Sequence, residues 1–510
     1  MSHSARPRVR EAALVPIFIV ATTLACAQTP DDRASSQDLG SVIRDLQREV
    51  RELREAVYEL RAESERYRAE TERLRSQVEA VAHAESPPSS GGMPSSPTSS
   101  SSTGQRLAAV EEEQELLNAR VSEQYQTKVE SASKYRVRLS GIVLLNAFNN
   151  QGVVDNIDVP TLAGYRTPLS SGSAGATLRQ SELGVEGFGP TLAGARTSAD
   201  LQLDFGGGVP AIPNGVTSGL LRIRTATMRM DWDRTSLVVG QDGLFLAPQS
   251  PTSFASLIVP ALAYSGNLWA WVPQIRVEHR LELAEKSGLT LQAGLLDSLT
   301  GQLPGYAYNR VPSAGENSRK PGMGARAAWS QRLMGRDFVL GVAGYYSWQN
   351  WGFNRNVNGW VGSSDWQIPF TSWLRLTGEF YRGSAIGGFG GGIGRSVLFN
   401  GAPTDATTLV RPLDTIGGWT QFKVIPAPKI EFNVAAGQDN PFAKDLRFFA
   451  NPQSYLDPSL SRNRAEFVNF VYRPRSDLLF SAEFRHLRTF EINGDSNTAN
   501  HVNLAMGFLF

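Results

Sequence analysis

The lengths of the links between short alternating segments constrain this chain more than any single motif does. From about Lys134 onward, sixteen segments of strand composition can be marked, the first at 134–148 and the last at 499–510. Every second link is a tight turn, such as Asp231-Trp232-Asp233-Arg234, Glu285-Lys286-Ser287-Gly288 or Pro426-Ala427-Pro428. Most of the others are long, at 149–175, 242–271, 299–320, 385–414 and 439–460. A soluble sheet protein has no reason to alternate its loops so regularly, whereas a barrel spanning an outer membrane has short turns on one side and long loops on the other. An even strand total returns both ends of the sheet to the short-turn side, the periplasmic one.

The strand faces fit that geometry. Ile275, Val277, Leu281 and Leu283 alternate with Arg276, Glu278, Arg280 and Glu282, and Leu201, Leu203 and Phe205 alternate with Asp200, Gln202 and Asp204. Charges at every second position are tolerable only on a wetted face, which in a lipid-embedded barrel is the lumen. Apolar residues make up 41% of the chain, and past the first 25 or so residues no run approaches the ~18 to 20 needed for a membrane helix, so any spanning part must be built from strands. The last strand ends with Val502, Leu504, Met506, Phe508 and Phe510 on one face. The expected fold class is therefore an all-β transmembrane barrel of about sixteen antiparallel strands at 134–510, preceded by an α-helical coiled coil.

That coiled coil is read from Ile43, Leu46, Val50, Leu53, Val57 and Leu60, with Leu74, Val78 and Val81 later in the same register and dense Arg and Glu on the flanks. The expected order is a signal peptide at 1–27, a periplasmic coiled coil at 28–85, a flexible Ser/Pro/Gly linker at 86–104 and a short helix at 105–133. Arg6, Arg8 and Arg10, an apolar stretch from Ala12 to Leu24 and Ala25-Cys26-Ala27 mark the signal. Cleavage there removes Cys26, the only cysteine, and with it any disulfide chemistry. A rival reading lipidates Cys26, but Thr23 stands where such sites usually carry leucine. β-Branched residues at a with Leu at d lean towards a two-stranded coil.

The candidate pore-lining residues are Arg136, Arg138, Arg222, Arg224, Arg276, Glu278, Arg280, Arg375, Glu379 and Arg485, all in the lumen phase. Rings of arginine favour anions because each guanidinium carries fixed donors and a permanent charge. Acidic residues on the same face, among them Glu182, Glu186, Asp200 and Asp204, make paired structural ladders an equal expectation. The third external loop, 242–271, is unusually apolar for a water-facing segment, and Phe245, Phe254, Trp269 and Trp271 are its candidate constriction residues. His3, His83, His279, His486 and His501 lack metal-ligand spacing, and no nucleophile elbow or phosphate loop stands out, so no catalytic, metal or cofactor site is expected. With 50 Lys+Arg against 49 Asp+Glu, nothing points to nucleic acid.

A coiled coil, a linker and a sixteen-strand barrel ending in Phe together resemble the DcaP-like porins. Locally the resemblance is carried by Val239-Gly240-Gln241-Asp242, Pro273-Gln274-Ile275-Arg276 and the closing run from Asn493 to Asn500. It implies an outer-membrane location with the amino terminus in the periplasm, a homotrimer in contact with lipid, and passive diffusion of small solutes, including organic anions such as dicarboxylates. A second expectation, from a different class, is an envelope tether whose coil of roughly 58 Å, at 1.5 Å per residue, reaches peptidoglycan while the barrel anchors it.

Overall fold

The computed structural model describes residues 128–129, 136–168, 170–209, 219–302, 310–333 and 335–510. The signal peptide, coiled coil and linker expected before Gln105 lie outside the described residues, as does all of the expected short helix except Lys128–Val129. Those two residues form a small strand against Arg138 and Val137.

Sixteen long strands form one sheet: β1 (Arg136–Gln151), β2 in two pieces (Gly172–Thr177 and Glu182–Leu192), β3 (Ala195–Asp204), β4 (Arg222–Asp231), β5 (Thr235–Gly243), β6 (Trp271–Ala284), β7 (Ser287–Leu296) and β8 (Gly322–Leu333). The second half comprises β9 (Arg336–Asn350), β10 (Asn356–Pro369), β11 (Leu374–Ser384), β12 (Asp414–Ala427), β13 (Ile430–Pro441), β14 (Leu460–Arg475), β15 (Leu478–Glu491) and β16 (Ser496–Leu509). Each pairs antiparallel with the next, and β16 returns to β1 from Ile142↔Leu509 to Gln151↔Asn500. The sheet thus has no free edge, the condition a lipid-exposed sheet must meet because lipid offers its backbone no partner. The chain's last residue completes the seam: Gly141 donates to the Phe510 carbonyl at 2.9 Å and accepts from its amide at 3.1 Å.

The alternation of the sequence becomes the two faces of the wall. Val143, Leu145, Ile275, Val277, Phe422, Phe432, Val434, Phe480, Phe484, Leu504 and Met506 project outward and remain exposed, while Asn146, Asn150, Gln274, Arg276, Glu278, Asn433, Asn469 and Asn503 point inward and are buried. A soluble protein would place these sets the other way round; lipid solvates the first and the lumen the second. The tight links are legible locally: Ala193 and Gly194, with φ of 50° and 77°, give the β2–β3 turn the two positive-φ central residues that match the twist of a hairpin. Where β2 is interrupted after Thr177, the Ser181 hydroxyl accepts from Leu144 N at 3.0 Å and replaces a lost ladder bond.

Candidate functional site: the loop-filled lumen

The segment from Leu244 to Ala270, between β5 and β6, lies inside the barrel. Its backbone carbonyls accept from inward-facing side chains around much of the wall. Leu246 O takes the Ser363 hydroxyl of β10 at 2.9 Å, Thr252 O takes Asn469 of β14 at 2.8 Å, Phe254 O takes Asn146 of β1 at 2.8 Å, and Ile258 O takes Arg222 of β4 at 2.6 Å. Its apolar residues meet inward apolar ones. Leu244, Phe245, Leu246 and Leu268 pack with Tyr345, Val361, Tyr381 and Phe389, and Phe254 and Leu257 pack with Ile142, Leu144 and Leu479. The high apolar content that looked anomalous for a water-facing loop is thereby explained: burying this surface inside the barrel is favourable at roughly 25 cal/mol per Å².

One buried ion pair fastens the loop to β15. Arg485 donates from Nη2 to Glu483 Oε1 at 2.7 Å and to the Ser256 hydroxyl at 2.7 Å, and from Nη1 to the Pro160 carbonyl at 3.2 Å. The Ser253 hydroxyl donates to Glu483 Oε2 at 2.5 Å. The side chains are 2% and 1% exposed. Arg485, expected on the wetted wall, does face inward but is covered by the loop. Glu379 is likewise inward and buried, accepting from the Trp419 indole at 3.3 Å. Both differ from expectation for one reason: phase fixes the side of the sheet a residue occupies, whereas the course of a loop 27 residues long decides whether water reaches it.

Strands β4–β6 carry most of the remaining predicted charges, and all of these except Arg280 are paired. Arg222 forks onto Asp204 at 3.0 and 2.7 Å. Arg224 bridges to Glu182 and lies 3.7 Å from Asp204. Arg224 is an extra residue on β4, where the β3 register slips between Gln202 and Leu203, so Arg222, Arg224 and Thr225 all reach the lumen side. Arg276 bonds Asp242 at 2.6 Å and Glu278 at 2.8 Å, and Glu278 also accepts from Gln292 at 3.0 Å and Arg229 at 3.4 Å. Trp271 sits against the paired arginines, with the Arg222 and Arg224 guanidiniums 4.8 and 4.9 Å from its ring, and meets Trp269 edge to face at 5.2 Å. Asp242, Phe245, Trp269, Trp271, Arg276 and Gln292 line a cavity of about 290 Å³.

Four predicted residues stand apart from this cluster. Arg138 pairs with Glu186, and Arg136 stacks on Phe188 at 5.7 Å. Arg280 is exposed in the inward phase, and Arg375 keeps a buried Nε without a partner. Phe254 packs on the opposite wall from the Phe245–Trp271 cavity, so the four loop aromatics do not form a single ring.

Sequence reasoning missed a second inward pair, Arg326 and Asp365, bonded at 3.0 and 2.7 Å. They belong to β8 and β10 and meet across Gly341 of β9, where any Cβ would collide with both. At the long-loop end, Arg395 donates to the carbonyls of Gly392, Asp457 and Leu460 at 3.1, 2.9 and 2.6 Å, and burial lowers its pKa to about 10. Among the described residues no group of three or more His, Cys, Asp or Glu is placed to hold a metal ion.

A closed sixteen-strand antiparallel barrel with an apolar outside, a sector of paired charges inside and its third external loop lodged in the lumen has the fold in which outer-membrane channels are built. The solved outer-membrane channel DcaP of Acinetobacter baumannii has this fold: it superposes with a TM-score of 0.56 at 16% identity, covering 75% of this chain and 100% of that one. An anion-selective porin from Comamonas acidovorans (TM-score 0.48, 12% identity, 74% and 100% covered) and OprB of Pseudomonas putida (0.43, 10%, 77% and 97%) are more distant. No family model and no curated protein matches the chain. At these identities the likeness is one of fold.

Proposed function

We propose that this chain is an outer-membrane porin, a homotrimeric passive channel for small hydrophilic solutes and not an enzyme, with its amino-terminal segment in the periplasm. The observation that carries the reading is the segment 244–270, held inside a closed barrel by hydrogen bonds to five strands and facing a sector of charged side chains across the remaining space. A narrowed, water-lined passage suits size-limited diffusion better than an envelope tether, which needs no interior at all.

A preference for organic anions, dicarboxylates among them, is supported at one end of the barrel more than in its middle. Near the short turns Arg136, Arg280 and Arg375 lie in the inward phase with no carboxylate within ion-pair distance among the described residues, beside Arg138, Lys423 and Arg473, which pair with Glu186 and Glu431. Deeper in, Arg222, Arg224 and Arg276 are neutralised by their carboxylates, so the preference is modest. Purified protein in planar bilayers should give stepwise conductance, and the reversal potential under a KCl gradient should report mild selectivity for chloride. Silent bilayers would overturn the channel reading, and a cation-selective reversal potential would overturn the anion preference.

A further inference from the structure

The outward face of β14–β16 changes character along its length. Towards the short turns it is apolar, with Val468 and Tyr472 on β14, Phe480 and Phe484 on β15, and Leu504, Met506 and Phe508 on β16. The next outward row in register is Glu466↔His486↔Asn500, and the one beyond is Arg464↔Arg488↔Thr498. Arg462 follows opposite Phe490, and Arg166, from the link after β1, donates to the Thr498 carbonyl at 3.3 Å. Four guanidiniums therefore gather at the edge of the apolar band; among the described residues the one carboxylate within ion-pair distance of any of them is Glu466, which Arg464 engages at 2.9 Å, and Arg488 donates to the Ser496 hydroxyl at 3.3 and 3.4 Å.

Two of these cations are brought together by an aromatic ring. The Arg462 and Arg488 guanidiniums lie 3.9 and 4.6 Å from the centroid of Phe490. Neither has a carboxylate within ion-pair distance among the described residues, and Arg462 Nε is buried without a partner. Cation–π contact orients such groups but does not cancel their mutual repulsion. A site with more arginines than engaged acids is complementary to an external anion, and the planar guanidinium fork matches phosphate in particular. Neighbouring strands are about 4.8 Å apart, so β14–β16 spread their cations over roughly 10 Å, a span suited to a headgroup with two phosphates.

We propose that this patch binds the phosphorylated headgroup of an outer-leaflet glycolipid, with Arg462 and Arg488 as its centre. The inference rests on the outer-membrane reading above, which places the long-loop end of the barrel at the outer leaflet. Its test uses the full-length protein in detergent, with binding of bis-phosphorylated lipid A and of the dephosphorylated lipid compared by native mass spectrometry. Wild type should prefer the phosphorylated lipid by at least about tenfold, and R462Q/R488Q should lose roughly fivefold for each arginine removed. E466Q, which removes the carboxylate that engages Arg464, should bind more tightly; this gain cannot come from misfolding.

Equal binding of both lipids, or unchanged binding by R462Q/R488Q, would overturn the site. So would dissociation of the oligomer by that variant, which would make the patch a contact between copies of the chain. Single-channel conductance of the same preparations separates the two readings. Silent protein that still discriminates the lipids refutes the channel alone, whereas conducting protein that does not discriminate them refutes this site alone.

Discussion

Removing Arg485 tests whether the 244–270 segment is held in the lumen as the contacts require. In R485A, Glu483 remains buried with a hydroxyl from Ser253 and an amide from Asn469 but with no cation. Leaving one member of a buried ion pair uncompensated costs about 3–5 kcal/mol, which at 1.4 kcal/mol per decade is roughly two to three and a half orders of magnitude in the docking equilibrium. The loop also loses the donor to Ser256, and the separate bond from Arg485 to the Pro160 carbonyl in the link after β1 goes with it. The expected phenotype is a lower midpoint of guanidinium unfolding in detergent, together with larger and noisier single-channel currents as the loop samples released positions. E483Q/R485M is the informative control. It removes both charges, so only the neutral hydrogen bonds are lost, at about 1 kcal/mol each, and it should fall between wild type and R485A. If R485A were as stable and as quiet as wild type, or the double variant as damaged as the single one, the fastening role assigned to this pair would be wrong.

Three further outcomes are expected. R222Q/R224Q leaves Asp204 and Glu182 without their cations, so the reversal potential under a KCl gradient should move towards cation selectivity; an unchanged potential would remove these residues from the conduction path. Gly341→Val should destabilise the barrel by roughly 3 kcal/mol or more, because its side chain displaces the Arg326–Asp365 pair, and urea titration of the folded barrel would show it; a wild-type midpoint would contradict the crossing of that pair over β9. Deleting Phe510 removes the backbone exchange with Gly141 that ends the β16–β1 seam, and the yield of heat-modifiable folded protein should drop several-fold, with full yield counting against a part for that residue in closure.

The sixteen strands were legible because the physics that makes them is local. A period of two with opposite solvents on the two faces leaves its mark in every segment, and the largest offsets fall where a strand has no such mark. Gly172–Thr177, the first piece of β2, is glycine, serine, alanine and threonine, so in the sequence it falls almost wholly within the long link expected at 149–175. The inward phase of Glu379 and Arg485 was equally readable, but their dryness was not, since that depends on where a distant loop settles. Arg326 and Asp365 were harder still. Each sits among small residues on its strand, Gly-Met-Gly-Ala before one and Gly-Ser-Ser before the other, and their union needs a glycine on a third strand.

The pairing pattern also changes what the charges can do. A guanidinium already engaged by a carboxylate offers a passing anion only the field left over after its partner, and that field is weak in the wide, wet part of a lumen. Arg222 is engaged three ways, by Asp204, by the Ile258 carbonyl of the inserted loop and by the Trp271 ring, so its charge works chiefly as a fastener between wall and loop. In the channel proposed above, discrimination among solutes would fall to the shape of the cavity beside it, bounded by Phe245, Trp269 and Trp271 on the apolar side and by Asp242, Arg276 and Gln292 on the polar side. Substitutions at those aromatics should alter which solutes pass more than how strongly chloride is preferred, whereas substitutions at the unpaired cations near the short turns should do the reverse.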